Sequence, residues 1–106
     1  MLIGWTSLAS AADAERLAAG VVRAGLAVCA QVEGPVISHY CWQGELKAET
    51  EWRITFKFLH TQATAITAYI HAEHPYEVPE LVAVESAMVG EKYLSWARAN
   101  PSSVNF

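Results

Sequence analysis

Two histidines and three glutamates lie close together in the sequence between residues 71 and 80. His71 and His74 are three residues apart at the end of a predicted helix, with Glu73, Glu77 and Glu80 as neighbours. Two imidazoles on one helical face could ligate a divalent metal ion. Most imidazole–metal sites have three or four ligands, however, and histidine at a helix end also serves as a C-terminal cation or a solvated cap. The spacing therefore favours the structural role.

The two cysteines, Cys29 and Cys41, are the residues that could carry thiol chemistry. They lack CxxC spacing and both lie inside apolar runs, which favours buried, reduced thiols over a disulfide. His39 and Cys41 are two residues apart on a predicted strand, so they share a face and could supply half of a site for a soft metal ion. The pattern favours a packed strand with a buried thiol.

The sequence lacks the residue sets of the common catalytic sites. Neither cysteine lies in a nucleophile elbow, and no GxGxxG or GxxxxGK[ST] loop occurs. An enzyme of the acylphosphatase type would need an anion-binding arginine in a loop. The four arginines are predicted to lie in helices or a strand: Arg16, Arg23, Arg53 and Arg98. We therefore expect a binding or adaptor protein and not an enzyme.

The composition bounds the class of protein further. The chain has 106 residues, of which 53% are hydrophobic and 17% charged, and its formal net charge is −4. This predicts one domain over residues 1–106 with more apolar surface than a small core can bury. The seven scattered lysines and arginines make nucleic acid and membrane surfaces unfavourable partners. With no apolar run of spanning length and no signal peptide, we expect a cytoplasmic protein.

Hydrophobic periodicity and turn residues predict the elements that position these groups. In order, they are a strand at 1–8, a helix at 10–25, a bent strand at 26–42, a strand at 51–58, a helix at 61–74, a strand at 81–84 and a helix at 91–99. Ser10, with Asp13 three residues later, predicts the first helix cap. Thr61 is predicted to cap the second helix, and residues 100–101 to close the last.

The order β-α-β-β-α-β with an additional C-terminal helix predicts an α+β fold. It is the ferredoxin-like split β-α-β arrangement, in which both helices cover one face of an antiparallel sheet. The first two strands are apolar on both sides, and no further helix is available to bury the second face. Copies of the same chain are the simplest cover for that face.

Five short motifs occur in order along nearly the whole chain. They are Leu-Ala-x-Cys at 26–29, Tyr-x-Trp-x-Gly at 40–44, Glu51 and Lys57 on one strand face, His-Pro-Tyr-x-x-Pro-Glu at 74–80 and Tyr-Leu-x-Trp at 93–96. The two prolines of the loop at 74–80 fix an irregular connection, and rigid loops often present functional groups. With these motifs the chain resembles the CutA divalent-cation tolerance family.

The resemblance implies a homotrimer of ferredoxin-like subunits with no established catalytic activity and a role in tolerance of copper and other divalent ions. In this trimer, the hairpin at 36–59 reaches into neighbouring subunits. Family members suggested to bind copper carry a cysteine and a histidine where this chain has Thr6 and Glu73. His74 and Glu80 remain as candidate ligands, which predicts at most weak binding of copper or zinc, no required cofactor, and an unidentified protein partner if the role is indirect.

An alternative function is a sensor of a small metabolite, like the architecturally similar PII signalling proteins. The ligand would lie in clefts between subunits, and the candidate residues are Tyr40, Trp42, Glu51, Lys57 and Tyr76. Glu51 and Lys57 share the polar face of their strand. The competing interpretation is that these two residues form ion pairs at the subunit interface.

Overall fold

The structure, a computed structural model, describes residues 1–99. Its elements are β1 (Leu2–Leu8), α1 (Ala11–Arg23), β2 (Cys29–Trp42), β3 (Glu45–Phe58), α2 (Ala63–Glu73), β4 (Val82–Glu85) and α3 (Glu91–Ala99). The predicted order of elements is confirmed. The predicted closure of the last helix at 100–101 lies outside the described residues.

The four strands form one antiparallel sheet in the order β2-β3-β1-β4. This is the strand order of the ferredoxin-like fold, so the predicted α+β class is confirmed. Only residues 2–5 of β1 pair with β4. The end of β1 near Ser7 therefore has no β4 partner, so the loop after α2 can hydrogen-bond to this edge of the strand.

Helix α1 begins and ends as predicted. The Ser10 hydroxyl accepts a hydrogen bond of 3.0 Å from the Asp13 backbone N–H, and Gly25 follows the helix with a positive φ of 77°. The predicted cap of α2 at Thr61 is wrong. Residues 60–62 form a 3₁₀ turn in which the Gln62 N–H already donates to the Leu59 carbonyl, so the chain enters the helix without a hydroxyl cap. No helix within residues 1–99 is both long and apolar enough to cross a membrane.

The core lies between the helices and one face of the sheet. Ile54, Phe56 and Phe58 alternate along β3 with polar residues and are almost fully buried. Leu8 and the inner side of α1 pack against them. The alternation in the sequence therefore selects this face for the core.

The second face of the sheet, here called the open face, is mixed in character and not purely apolar. Opposed residues of antiparallel strands share a face, which places these side chains together: Ile3, Trp5, Cys29, Gln31, Arg53, Thr55, Lys57, Val82 and Val84. β2 begins three residues later than predicted, because residues 26 and 27 donate to the Val21 carbonyl at the end of α1. Helix α3 approaches this face at Cys29, where burial and that thiol raise the pKa of Tyr93.

Beyond the helices, β2 and β3 continue as a hairpin, here called the arm and defined as residues 36–42 and 45–51. It starts at a register shift between Glu33 and Val36 and turns at Gln43 and Gly44, which both have positive φ. Ile37 is 59% exposed in the arm and Leu46 is 90% exposed. Both cysteines are free thiols as predicted, but Cys41 is exposed and not buried, because no helix covers this part of the hairpin.

Candidate functional site

His74 ends α2 and ties the following loop to the edge of β1. Its side chain is buried, with the ring Nε2 3.0 Å from the Ser7 carbonyl oxygen. The Tyr76 backbone N–H donates to Nδ1 at 3.1 Å. Because a carbonyl can only accept and a backbone N–H can only donate, Nε2 carries the proton and Nδ1 supplies the lone pair. Both ring nitrogens are therefore engaged.

Burial controls the protonation of this imidazole. It lowers the pKa of His74 below its ordinary value, while the Ser7 carbonyl, Glu51 and Asp13 oppose the shift and His71 adds to it. The ring is therefore neutral at neutral pH. Its neutral form fits the two hydrogen bonds, because an imidazolium would lack an acceptor for the Tyr76 N–H.

The predicted metal ligands, His74 and Glu80, do not form a prepared site. The lone pair of His74 is used by the Tyr76 N–H, and Glu80 is exposed. Within residues 1–99, no group of three or more His, Cys, Asp and Glu side chains is placed to hold a metal ion. Metal binding by His74 remains a prediction, but it requires the loss of an existing hydrogen bond.

A buried carboxylate faces the same loop from the base of the arm. Glu51 is 8% exposed, and the Tyr76 hydroxyl donates to its Oε2 at 2.7 Å. Burial, followed by this hydrogen bond, raises the pKa of Tyr76 far above the range of an ordinary tyrosine. Tyr76 is thus a permanent hydrogen-bond donor that satisfies a buried acceptor.

A second tyrosine–glutamate pair lies beside the first. The Tyr40 hydroxyl donates to Glu49 Oε1 at 3.2 Å, and desolvation together with Glu49 raises the pKa of Tyr40. Tyr40 and Glu49 also act electrostatically on Tyr76. We call Tyr40, Glu49, Glu51 and Tyr76 the tyrosine–glutamate cluster.

The tyrosine–glutamate cluster contains part of the predicted ligand cleft. Tyr40, Glu51 and Tyr76 lie close together within one chain, and their binding of a ligand stays a prediction. Trp42 lies further along the arm, opposite Glu45 and 43% exposed. Lys57 pairs with Cys29 at the other end of the strand, about 20 Å from Glu51 at the usual rise per residue. Within one chain, Lys57 is therefore not part of the cluster, and its Nζ donates instead to Gln31 Oε1 at 3.3 Å.

The cluster carries negative charge and favours cationic or hydrogen-bond-donating groups. Two cations of the same hairpin are engaged elsewhere: Lys47 Nζ lies 3.5 Å from Glu45 Oε2, and the Arg53 guanidinium lies 5.4 Å from the centre of the Trp5 ring.

Glu49 was missed by the sequence analysis, although its position two residues before Glu51 on one strand face is the signal that could have found it.

A small cavity of about 100 Å³ lies between α1 and α2 and is separate from the cleft residues predicted above. Leu8, Leu17 and Tyr69 line it together with the charged Asp13, Arg16 and Glu73. The Arg16 guanidinium donates to Asp13 Oδ1 at 2.6 Å and holds the pKa of that carboxyl below its usual value. The cation that could attract an anionic ligand is thus already paired on an exposed surface.

Comparison with known proteins identifies the family to which the chain belongs. The model of the CutA1 divalent ion tolerance protein family matches residues 2–100. The divalent-cation tolerance protein CutA of Yersinia pestis (strain Pestoides F) is 36% identical over 89 residues, or 84% of this chain and 75% of that protein. CutA1 of Shewanella sp. SIB1 has a TM-score of 0.90 and 33% identity, covering 96% of this chain and 95% of that chain. The periplasmic CutA of Archaeoglobus fulgidus has a TM-score of 0.87 and 24% identity, covering 92% and 96%, and shows the fold alone.

The order of elements and the strand order β2-β3-β1-β4 define an α+β protein of ferredoxin-like topology. The match over residues 2–100 then identifies the family. The chain belongs to the CutA1 divalent ion tolerance protein family, as the five sequence motifs predicted.

Proposed function

We propose that this chain acts in tolerance of divalent metal ions, copper among them, as a non-catalytic homotrimer in the cytoplasm that needs no resident cofactor. The observation that carries the proposal is the family match over residues 2–100. The similar Yersinia protein is named for divalent-cation tolerance. The Archaeoglobus neighbour, in contrast, is named as periplasmic.

The open face supports self-association. Val82 is 53% exposed and Val84 46% exposed, and they lie next to the half-buried Trp5 and Ile3. A contiguous apolar patch of this kind in a small soluble domain marks an interaction surface. Arg53 and Lys57 on the same face would fix the register of the contact. We propose that the open faces of three copies cover one another. In this assembly each arm extends along a neighbouring copy and contacts it with the strand face that carries Tyr40 and Trp42.

The structure supports a role that does not depend on a metal site at His74. This residue holds the loop to β1 through both ring nitrogens. We propose that tolerance arises through a protein partner bound by the trimer, or through ligands elsewhere on its surface, and not through a resident ion in the loop.

A growth assay tests the tolerance role. Deletion of this chain in its source organism should lower the highest concentration of copper(II), zinc or cadmium that permits growth, and the wild-type chain should restore it. The variant Val82→Lys, which places a charge in the open face, should fail to restore growth if the trimer is the active form. Equal growth of the deletion and parent strains at all metal concentrations would contradict the proposal.

The competing class is an enzyme of the acylphosphatase type on the same fold. Arg16 and Arg23 lie in α1, Arg53 in β3 and Arg98 in α3. These positions do not place an arginine in an anion-binding loop. The expected result with an acyl phosphate is hydrolysis at the uncatalysed rate. Turnover that is abolished by changing one of these arginines would establish an enzyme instead.

The second candidate function is sensing of a small metabolite at the tyrosine–glutamate cluster. The observation in its favour is that two carboxylates and two phenolic hydroxyls meet at the base of the arm. This chemistry suits an amine or guanidine-bearing ligand, with the aromatic rings packing on its apolar part. In the proposed trimer, Lys57 of a neighbouring copy could complete the cleft.

Thermal shift measurements with a panel of metabolites test this function. A true ligand should raise the unfolding temperature of the wild-type protein but not of Glu51→Gln. The matched control is Glu45→Gln, which changes an exposed carboxylate on the same strand face and should keep the response. If no metabolite stabilises the protein and Lys57→Met merely weakens assembly, the sensor function fails.

A further inference from the structure

We propose that His39 and Cys41 form a binding site for a soft, thiophilic metal ion of the copper(I) class on the arm. The two residues lie two positions apart in β2, so their side chains leave the same face of the strand. They are exposed in the arm. The site does not depend on the proposed trimer or on the tolerance role, because both ligands come from one chain.

The spacing of the two residues suits chelation. At the usual rise per residue of a strand, their Cα atoms lie about 7 Å apart. Typical metal–sulfur and metal–nitrogen bonds of about 2.3 and 2.0 Å require the donor atoms to be roughly 4.3 Å apart in a linear arrangement. Because both side chains are exposed, rotation about their side-chain bonds can bring the donor atoms to that separation.

Both donor groups are available. Among residues 1–99, neither side chain takes part in a hydrogen bond or an ion pair. This sets His39 apart from His74, whose two nitrogens are hydrogen-bonded. The sequence pattern favoured a packed strand with a buried thiol, and the exposure of Cys41 removes that argument against a metal role.

The surroundings select for a soft ion. Ala48 lies opposite His39 and Leu46 lies opposite Cys41 on the partner strand. Both neighbours are apolar, so the strand pair supplies no oxygen ligand for a hard cation at these positions. Thiolate and imidazole together favour copper(I) over calcium or magnesium. Two protein ligands satisfy an ion that accepts low coordination, whereas zinc would need two more ligands to reach its usual four.

Binding converts the Cys41 thiol to a thiolate and releases one proton to the solvent. His39 must be neutral to supply its lone pair. No change of oxidation state is involved, because the ion is bound and released as copper(I).

A competition titration with copper(I) held by bicinchoninate, in anaerobic buffer with ascorbate, tests the site. The wild-type protein should remove one copper(I) per chain from the indicator. Cys41→Ser should abolish this uptake and His39→Phe should weaken it. The matched controls are Cys29→Ser, which removes the other thiol, and His71→Phe, which removes an exposed histidine outside the arm. Both should bind like the wild type.

Unchanged uptake by Cys41→Ser, or equal loss in Cys29→Ser, would overturn the proposal. X-ray absorption spectroscopy of the loaded protein provides a second readout. One sulfur and one imidazole nitrogen per copper would support the site. Two sulfurs per copper would overturn it, because the ion would then link thiols of two chains or both thiols of one chain. Circular dichroism of Cys41→Ser and His39→Phe should match the wild type, since both substitutions are at exposed positions of the arm.

Discussion

The same two strands, β2 and β3, pass through two environments. Beneath the helices, Ile54 and Phe56 have no exposed surface, whereas in the arm Ile37 is 59% and Leu46 90% exposed. Apolar residues occur in both parts. The two parts differ in what covers them. Helices α1 and α2 pack over the rest of the sheet, here called the body and defined as β1, β4 and residues 29–35 and 52–58 of β2 and β3, whereas the arm extends past the helices. Apolar side chains in the body therefore stabilise the fold, and those in the arm are available for contacts outside the chain.

His74 and His39, two of the three histidines considered as metal ligands, show the same contrast. His74 is buried at the edge of the body and its ring holds the loop in place. His39 is exposed in the arm, next to the free thiol of Cys41. Identical side-chain chemistry thus has a structural role in one region and leaves a ligand available in the other.

The largest expected effect is the loss of a core side chain from the body. Phe56→Ala should lower the free energy of unfolding by about 3–5 kcal/mol, because the cavity it leaves is fully enclosed. Leu46→Ala, at an exposed position of the same strand, should change it by less than about 0.5 kcal/mol. Chemical denaturation at one fixed chain concentration measures both. Equal losses would mean that the arm is packed as tightly as the body.

The junction between body and arm should be the next most sensitive position. A Cβ atom on Gly34 would lie 2.5 Å from Trp52 Cδ1 and 3.1 Å from Trp52 Cα. Gly34→Ala must therefore displace Trp52 or the strand, and we expect a loss of about 1–3 kcal/mol. Gly90→Ala is the control, because a Cβ atom there has no neighbour within 4 Å. Similar denaturation midpoints for the two variants would show that the junction tolerates a side chain.

The hydrogen bond between loop and arm should have an effect of about the same size or smaller. Tyr76→Phe leaves the buried Glu51 carboxylate without its donor and should cost about 1–3 kcal/mol. Tyr40→Phe breaks a hydrogen bond that is exposed to water and should not change stability measurably. A double-mutant cycle of Tyr76→Phe with Glu51→Gln measures the coupling. Additive effects would contradict a direct interaction.

The smallest expected effect is the pH dependence that His74 contributes. Burial holds its pKa below the ordinary value of 6.5 in the folded chain. As the pH falls below 6.5, the unfolded chain binds a proton first, so the free energy of unfolding decreases until the folded imidazole is also protonated. His74→Gln should remove this part of the decrease. Parallel curves for the wild type and the variant would show that His74 is not buried in the neutral form.

The sequence predicted the body of the fold because its signals are local. Alternation along β3 and the Ser10 cap identify a strand and a helix without knowledge of the rest of the chain. Thr61 failed as a cap because a tight turn had already satisfied the backbone that its hydroxyl would have served. The choice between these two solutions depends on the exact path of the chain, which single residues do not encode.

The candidate site was less predictable because its contacts are not local. The His74 ring binds a backbone carbonyl 67 residues away in sequence, and a carbonyl is present at every position. The exposure of Cys41 depends on where the helices end relative to the arm. Glu51 and Tyr76 were predicted to lie together, and Lys57 was grouped with them because alternation places it on the same strand face as Glu51. The six residues between Glu51 and Lys57, about 20 Å at the usual rise, were the sequence signal that separates these two side chains within one chain.

The oligomeric mass tests the central claim most directly, namely that the open face is an interface between copies of this chain. Light scattering behind a sizing column should give three times the chain mass of 11.6 kDa at micromolar concentration. Val82→Lys, on the open face, should reduce the mass toward that of one chain, whereas Val78→Lys, at an exposed valine of the loop, should leave it unchanged. A wild-type protein that has the mass of a single chain at micromolar concentration would contradict the account.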